Sequence, residues 1–370
     1  MDVRCNHCGL KTQLNIQDWR CDCGGAWEPD GIPEFNISKI HQHDYSIWRY
    51  GALLGLDVQR PAKPMGVGWT PLVSTQLDNH KVYLKLEYLS PSGSFKDRGV
   101  NAMVEQLYTM GASAVSEDSS GNAGASLAAH AAHFGIKAEI YVPEYASEEK
   151  KRQIRVYGAK VISVPGPRKA AEVAAQNSVR YDQAYASHAY HPAYLAGQIT
   201  AAFELWEQLD HHAPDWIICP VAQGGQFLGY WFGFKSLLEA GLIKKLPRLV
   251  AVQSVMVAPI YAAWKAGLDR IPEIKPGGET IAEGVAIVKP IRDPRLLQAL
   301  RETHGQVIIA EEEEILEGQE LMARQGYFIE PTSALVVCGF RKLIEEIKED
   351  EIVILPLTGS GLKSVSKTYR

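Results

Sequence analysis

The chain has little of what marks several large functional classes. It has no basic excess: 38 lysines and arginines face 43 acidic residues among 370, a net charge of −5. The clustered positive footprint of a nucleic-acid binder is therefore not expected. It also lacks a long apolar run. The best candidate for a membrane span, Trp216 to Phe234, is broken by Pro220, Gly224 and Gly225 and carries Gln223 and Gln226, so no membrane partner is expected. The opening Met-Asp-Val-Arg-Cys has no apolar stretch, and no signal peptide is expected. Six cysteines are too few to staple a chain of this length with a disulfide framework. Repeats and low-complexity tracts are absent. What remains, at 46% hydrophobic and 22% charged residues, is a cytoplasmic globular enzyme with room for two domains and a small appendage.

The appendage is the first thirty residues. Cys5, Cys8, Cys21 and Cys23 lie there among turn-forming glycines and prolines, as two knuckles about a dozen residues apart. That pattern resembles a small zinc ribbon, with a structural and closed metal site. The second knuckle, Cys-x-Cys, is shorter than the usual spacing, which leaves open a reduced, metal-free loop. A ribbon this small has almost no core, so metal would have to fold it.

From about residue 98 short apolar strands alternate with longer helices. Strands are expected at 112–115, 138–142 and 161–164, with helices at 123–134, 147–157 and 168–178. The rhythm resumes with strands at 216–219 and 249–253 and helices at 227–240 and 259–266, and closes with a helix at 332–348 and a strand at 351–355. Such alternation means crossover units and a mainly parallel α/β fold. The acidic run Glu311 to Glu314 should open a helix, where negative charge suits the dipole.

The strongest chemical signal is Ser90-Pro-Ser-Gly-Ser-Phe-Lys-Asp-Arg-Gly99. A turn rich in serine, proline and glycine delivers Lys96 to the opening of a helix. There the positive end of the dipole and partial burial favour a neutral amine, the form that Schiff-base chemistry needs. A second signal is Pro220-Val221-Ala222-Gln223-Gly224-Gly225-Gln226. A strand, a glycine pair and a helix supply open backbone N–H groups for a phosphate.

The decapeptide resembles the cofactor-lysine motif of the fold-type II pyridoxal-phosphate enzymes, the tryptophan synthase β-like family, and is most similar to the threonine synthase group. The resemblance runs along nearly the whole chain. It implies that Lys96 binds pyridoxal 5′-phosphate as a Schiff base and serves as acid–base for the substrate's α-proton. It implies that Asn122, in Ser119-Ser120-Gly121-Asn122, holds the ring and that Ala222 to Gln226 hold the phosphate. Thr358, in Leu355-Pro-Leu-Thr-Gly-Ser-Gly-Leu-Lys363, would face the pyridine nitrogen. As a neutral hydroxyl it would restrain the electron sink, which is compatible with elimination and replacement chemistry.

Ser119, Ser120, Ala123, His191 and Tyr194 fall where the group binds substrate, and this stretch departs from the group's pattern at three positions. Ala123 stands for a threonine, Tyr194 for an arginine and Ile199 for a lysine, and a guanidinium on a phosphate is not conservatively replaced. Ser-Ser-Gly-Asn-Ala-Gly and Glu279-Thr-Ile-Ala-Glu-Gly-Val-Ala286 resemble segments of serine and threonine dehydratases. The first expectation is therefore threonine synthase, converting O-phosphohomoserine and water to threonine and phosphate. The alternative is an ammonia-lyase acting on threonine or serine, or another β-replacement enzyme. A catalytically idle relative is disfavoured by the intact set Lys96, Asn122, glycine loop and Thr358. A nicotinamide-binding dehydrogenase is disfavoured by the missing opening Gly-x-Gly-x-x-Gly.

The family's architecture implies two domains: a large one from 31–95 with 205–370 and a small one from 96–204. The cofactor would lie in a cleft at the carboxyl ends of parallel strands, and the enzyme would be a homodimer acting on a small amino acid.

Overall fold

The computed structural model describes residues 1–31 and 34–363. Along the chain, β1 (Asp2–Cys5), β2 (Lys11–Gln13) and β3 (Trp27–Pro29) come first. The hairpin β4 (Leu72–Leu77) and β5 (His80–Lys85) follows. Its two-residue turn, Asp78 at φ 47° and Asn79 at φ 66°, uses the side chains that best tolerate positive φ in such a link. Then come α1 (Lys96–Thr109), β6 (Ala114–Glu117), α2 (Asn122–Phe134), β7 (Lys137–Pro143), α3 (Glu148–Val156), β8 (Lys160–Val164), α4 (Arg168–Gln176) and β9 (Gln183–Tyr185). After α5 (Pro192–Gln208), β10 (Trp216–Pro220), α6 (Gly225–Glu239), β11 (Arg248–Ser254) and α7 (Pro259–Lys265), the chain closes with α8 (Asp293–Glu302), β12 (Gln306–Ala310), α9 (Glu312–Arg324), α10 (Pro331–Leu343) and β13 (Val353–Pro356).

The expected alternation is present, with boundaries shifted by a few residues. The first strand starts at Ala114 because Gly111, at φ 89°, still belongs to the turn that ends α1. The acidic run opens α9 through a capping box: Glu311 accepts from the first turn and the Glu314 carboxylate accepts the Glu311 N–H at 2.7 Å.

The chain forms two compact units. One comprises residues 1–69 and 90–200, the other 70–89 and 201–370. Residues 31–69, grouped from sequence with the C-terminal part, thus belong to the unit that carries α1, and the hairpin β4–β5 belongs to the other.

The first unit holds the antiparallel sheet β2-β1-β3 and a parallel sheet in the order β8-β7-β6-β9. From β6 the chain steps outward through β7 to β8, then returns to place β9 on the other side of β6. The second unit holds a sheet in the order β12-β11-β10-β13-β5-β4, parallel except for β4. Here β10, β11 and β12 step one way and β13 returns beside β10. Each parallel sheet therefore reverses its strand order once, between β6 and β9 and between β10 and β13. In open α/β sheets such a reversal parts the loops at the carboxyl ends of the two strands and leaves a crevice for ligands.

The second unit's core covers the sheet face under α10, with Ile218, Val252, Leu335, Phe340 and Leu355 all buried. Close approach there requires Gly339, where a β-carbon would stand 2.6 Å from Val252 and 2.8 Å from Ile218. Among the described residues, no helix is long and apolar enough to cross a membrane.

Candidate active site

In the first unit Lys96 is the first residue of α1, partly buried, its Nζ 4.7 Å from the Phe95 ring and 5.9 Å from the Tyr194 ring. The residues around it explain the motif. Asp97 is fully buried and accepts three hydrogen bonds: from the Ser92 N–H at 2.6 Å, the Ser92 hydroxyl at 2.5 Å and the Ser126 hydroxyl of α2 at 2.5 Å. It fixes the preceding turn and ties α1 to α2. Gly99 is needed because the Tyr194 ring lies against it; a β-carbon would meet Cδ2 at 2.4 Å. Gly197 reciprocates from α5, where a β-carbon would stand 2.2 Å from the Arg98 carbonyl oxygen. The two glycines let α1 and α5 pack nearly backbone to backbone.

Ser119, Ser120 and Gly121 join the carboxyl end of β6 to α2, which Asn122 opens and whose second residue is the buried Ala123. The Ser119 hydroxyl accepts the Gly121 N–H at 3.3 Å. Gly124 lets the turn close, since a β-carbon there would lie 1.9 Å from the Ser119 carbonyl oxygen.

His191 is buried just ahead of α5, and its Nδ1 accepts the Ala193 N–H at 3.2 Å. That bond puts its lone pair on Nδ1 and commits it to the helix end. Tyr194 is buried, and its hydroxyl has no hydrogen-bond partner among the described residues. Burial, with Glu117 nearby, holds the phenol well above its ordinary pKa.

Sequence reasoning missed the acidic pair that ends β6. Glu117 is fully buried, with Oε1 2.9 Å from Nδ1 of His188. Asp118 accepts the Tyr185 hydroxyl at 2.5 Å and pairs with Arg168 at 3.1 Å. Both lie at the carboxyl end of β6, and Tyr185 and His188 lie at or just beyond that of β9, so they flank the reversal. The strand alternation was readable, but which strands would neighbour each other was not.

In the second unit the loop Val221 to Gly224 leaves the carboxyl end of β10 and enters α6. Gly224 has φ +82° and precedes the helix; a β-carbon would meet Leu296 at 2.3 Å. Ala222 and Gln223 are partly buried, and the Gln223 Oε1 accepts the Ile291 N–H at 3.0 Å. Gly225 and Gln226 open α6. Gln226 is buried, and neither atom of its amide has a hydrogen-bond partner among the described residues.

Thr358 follows β13, on the other side of the same reversal. It is fully buried, its hydroxyl 2.8 Å from that of Ser333 on α10. Ser333 also accepts the Gly359 N–H at 2.9 Å. Nothing in an otherwise apolar helix sequence singled Ser333 out.

The four N-terminal cysteines come together. All four sulfurs lie within 4.8 Å of one another, with Cys5 and Cys23 3.4 Å apart and Cys8 and Cys21 3.7 Å apart. Trp19, between the knuckles, packs edge-on against Tyr185 and Tyr190 at centroid distances of 5.2 and 5.1 Å.

Comparison with known proteins places this geometry. A family model described as pyridoxal-phosphate dependent enzyme matches residues 64–359. The threonine synthase of Methanocaldococcus jannaschii is 34% identical, over 99% of this chain and 94% of its own. That of Methanosarcina acetivorans is 32% identical, over 98% of this chain and 92% of its own. Among solved structures, the fungal L-serine ammonia-lyase from Rhizomucor miehei superposes with a TM-score of 0.70 at 26% identity, covering 81% of this chain and 96% of that one.

Proposed function

Because the chain belongs to the pyridoxal-phosphate-dependent enzymes, with threonine synthases among its relatives, we propose that it is a lyase carrying out elimination and replacement on an amino acid. The first reaction is that of a threonine synthase, water replacing the phosphate of O-phosphohomoserine to give threonine. The observation that carries the reading is positional. The residues assigned to the cofactor stand at the carboxyl ends of the strands flanking the single reversal in each parallel sheet, or at the helix ends beside them.

The residues suit the group. Gln226 is a buried amide left without a partner in the first turn of α6, beside a glycine at φ +82°, and such an amide needs an acceptor. A phosphate there would take the Gln226 amide and the N–H groups that open the helix. Lys96 would hold the aldehyde carbon, Asn122 the ring and Thr358 the ring nitrogen. When bound, pyridoxal phosphate supplies the electron sink that acidifies the substrate's α-proton.

The chain's own groups do the rest. Lys96 takes the proton at Cα and returns it. Asp97 keeps the Lys96 turn in place through Ser92 and Ser126. Ser333 fixes the Thr358 hydroxyl, a neutral donor or acceptor rather than a charge. Ser119 and Ser120 offer hydroxyls and turn N–H groups to the substrate's carboxylate.

A second reading, an ammonia-lyase for serine or threonine, is favoured by one feature. The side chain of α5 beside Lys96 is the ring of Tyr194, not a cation that would grip a phosphate leaving group. The test is to give the cofactor-loaded protein O-phosphohomoserine, L-serine and L-threonine separately, assaying phosphate, threonine and 2-keto acid. Phosphate with threonine supports the first reading. Keto acid from serine or threonine alone supports the second and refutes the first.

The cysteine cluster is read as a structural zinc site. A tetrahedral ion with metal–sulfur bonds of about 2.3 Å has sulfur–sulfur edges of about 3.8 Å, close to the separations seen here. A cytoplasmic homodimer is proposed from the family alone.

A further inference from the structure

The crevice side of β6 and β9 carries one more pair of groups that the assignments above leave idle. The Glu117 carboxylate faces His188 with both oxygens, Oε1 at 2.9 Å from Nδ1 and Oε2 accepting the His188 backbone N–H at 3.3 Å. The imidazole meets the Tyr194 ring edge-on, centroids 6.0 Å apart, and that ring lies 5.9 Å from the Lys96 Nζ. His188 keeps 12% of its side chain exposed, and its Nε2 has no hydrogen-bond partner among the described residues. One nitrogen is thus committed to a buried carboxylate while the other is left for a ligand, the arrangement that orients a histidine for proton transfer.

We infer that His188 is a second catalytic acid–base of this site, exchanging a proton with an oxygen at Cβ of the substrate, and that Glu117 is the residue that positions it. The inference rests on the elimination and replacement chemistry proposed above and adds a division of labour. Lys96 serves Cα and His188 serves the side chain. In addition, a water oxygen bonds to Cβ and its proton passes to Nε2. The π pair of the Cα–Cβ double bond moves to Cα, where Lys96 supplies a proton. In elimination, Lys96 takes the Cα proton and its electron pair forms the double bond. The C–O bond breaks, and the oxygen leaves with the proton held on Nε2.

The surroundings suit such a shuttle. Burial pushes the Glu117 carboxyl up to about 7. Burial, then the charge of Lys96, holds the His188 imidazole well below its ordinary value. The other groups facing the pair are Asp118, Arg168, Tyr185 and Tyr194. The carboxyl is thus the member of the pair that takes up a proton near neutral pH, beside an imidazole that burial keeps from charging.

The experiment uses the cofactor-loaded protein with His188→Gln, Glu117→Gln and, as a control, Lys96→Ala. Both His188→Gln and Glu117→Gln should keep the wild-type visible absorbance. With L-serine or L-threonine in D2O, His188→Gln should exchange the Cα proton at close to the wild-type rate while product formation falls about 100-fold or more. The limb of the pH–rate profile near neutrality should disappear. A product rate that is unchanged, or that falls in step with Cα exchange, overturns the inference. Nitrogen-15 NMR of the wild-type protein without substrate decides independently of folding in the variants. An Nε2 that gains and loses its proton across the pH range of activity is expected, and an Nε2 that keeps a single protonation state throughout that range overturns the role. Loss of the underlying reading looks different: Lys96→Ala would retain the visible band, or no amino acid would perturb it in the wild type.

Discussion

Replacing Gly99 with alanine puts a methyl where the Tyr194 ring already lies. The new carbon would stand 2.4 Å from Cδ2 against an ordinary contact beginning at 3.4 Å, so the ring must retreat by about 1 Å, the difference. Tyr194 is only 2% exposed, and forcing a ring into a packed surround costs about 1–3 kcal/mol. Alanine recovers about 1 kcal/mol through its better helix propensity. The net loss is up to about 2 kcal/mol, read as a lower midpoint in urea with unchanged slope. Function should suffer more: a shift of about 1 Å beside the reacting lysine costs up to about 100-fold in turnover, while visible absorbance shows the cofactor still loaded. The decisive assay is the double-mutant cycle. In a Tyr194→Ala background the clash is gone and only the propensity gain remains, so Gly99→Ala should become stabilising by up to about 1 kcal/mol. An equal loss in both backgrounds would show that the glycine serves something other than this ring.

Gly224→Ala adds a β-carbon at φ +82°, 2.3 Å from Leu296. It should weaken cofactor binding at least tenfold by spectrophotometric titration, with partial rescue by Leu296→Ala; an unchanged titration would remove the loop from the phosphate site. Ser333→Ala strips the Thr358 hydroxyl and the Gly359 N–H of a buried partner, a loss of about 1–3 kcal/mol, with a shifted pH dependence of the cofactor spectrum; Ser333→Thr should restore much of both. Because burial raises the folded-state pKa of Glu117 from 4.5 to about 7, its protonated form favours the fold. That stability is complete below pH 4.5 and is lost as pH rises through about 7, by up to about 3 kcal/mol. Glu117→Gln should flatten this decline, and parallel stability–pH curves would contradict it. Cys21→Ser should abolish one bound zinc per chain by elemental analysis and lower thermal stability, whereas wild-type protein isolated free of metal would refute the zinc assignment.

The parts legible in the sequence are those with local causes. The alternation of short apolar strands and helices gave the parallel architecture because each element carries its own period. Lys96 and the Gly224–Gly225 loop were visible because turn chemistry and helix ends are written in neighbouring residues. Thr358 was found only through resemblance, since a threonine after a strand says nothing by itself. The acidic pair Glu117 and Asp118 stayed hidden for another reason. Its partners His188 and Tyr185 lie about seventy residues on, on a strand whose placement beside β6 no local pattern announces. The grouping of residues 31–69 with the unit that carries α1 stayed hidden for the same cause: it rests on contacts between distant segments, such as the Trp48 indole donating to Asn101 at 2.8 Å.

Trp19 gives the cysteine cluster a reach beyond its own few residues. Its indole rests on Tyr185 and Tyr190, and Tyr185 in turn holds Asp118 at the start of the Ser119–Asn122 turn. The N-terminal module thus braces, through Trp19, the tyrosine that holds the residue just ahead of that turn. Cutting it away would bare two tyrosine faces and let the turn sag, so a truncated chain would surrender grip on its substrate before it surrendered its cofactor.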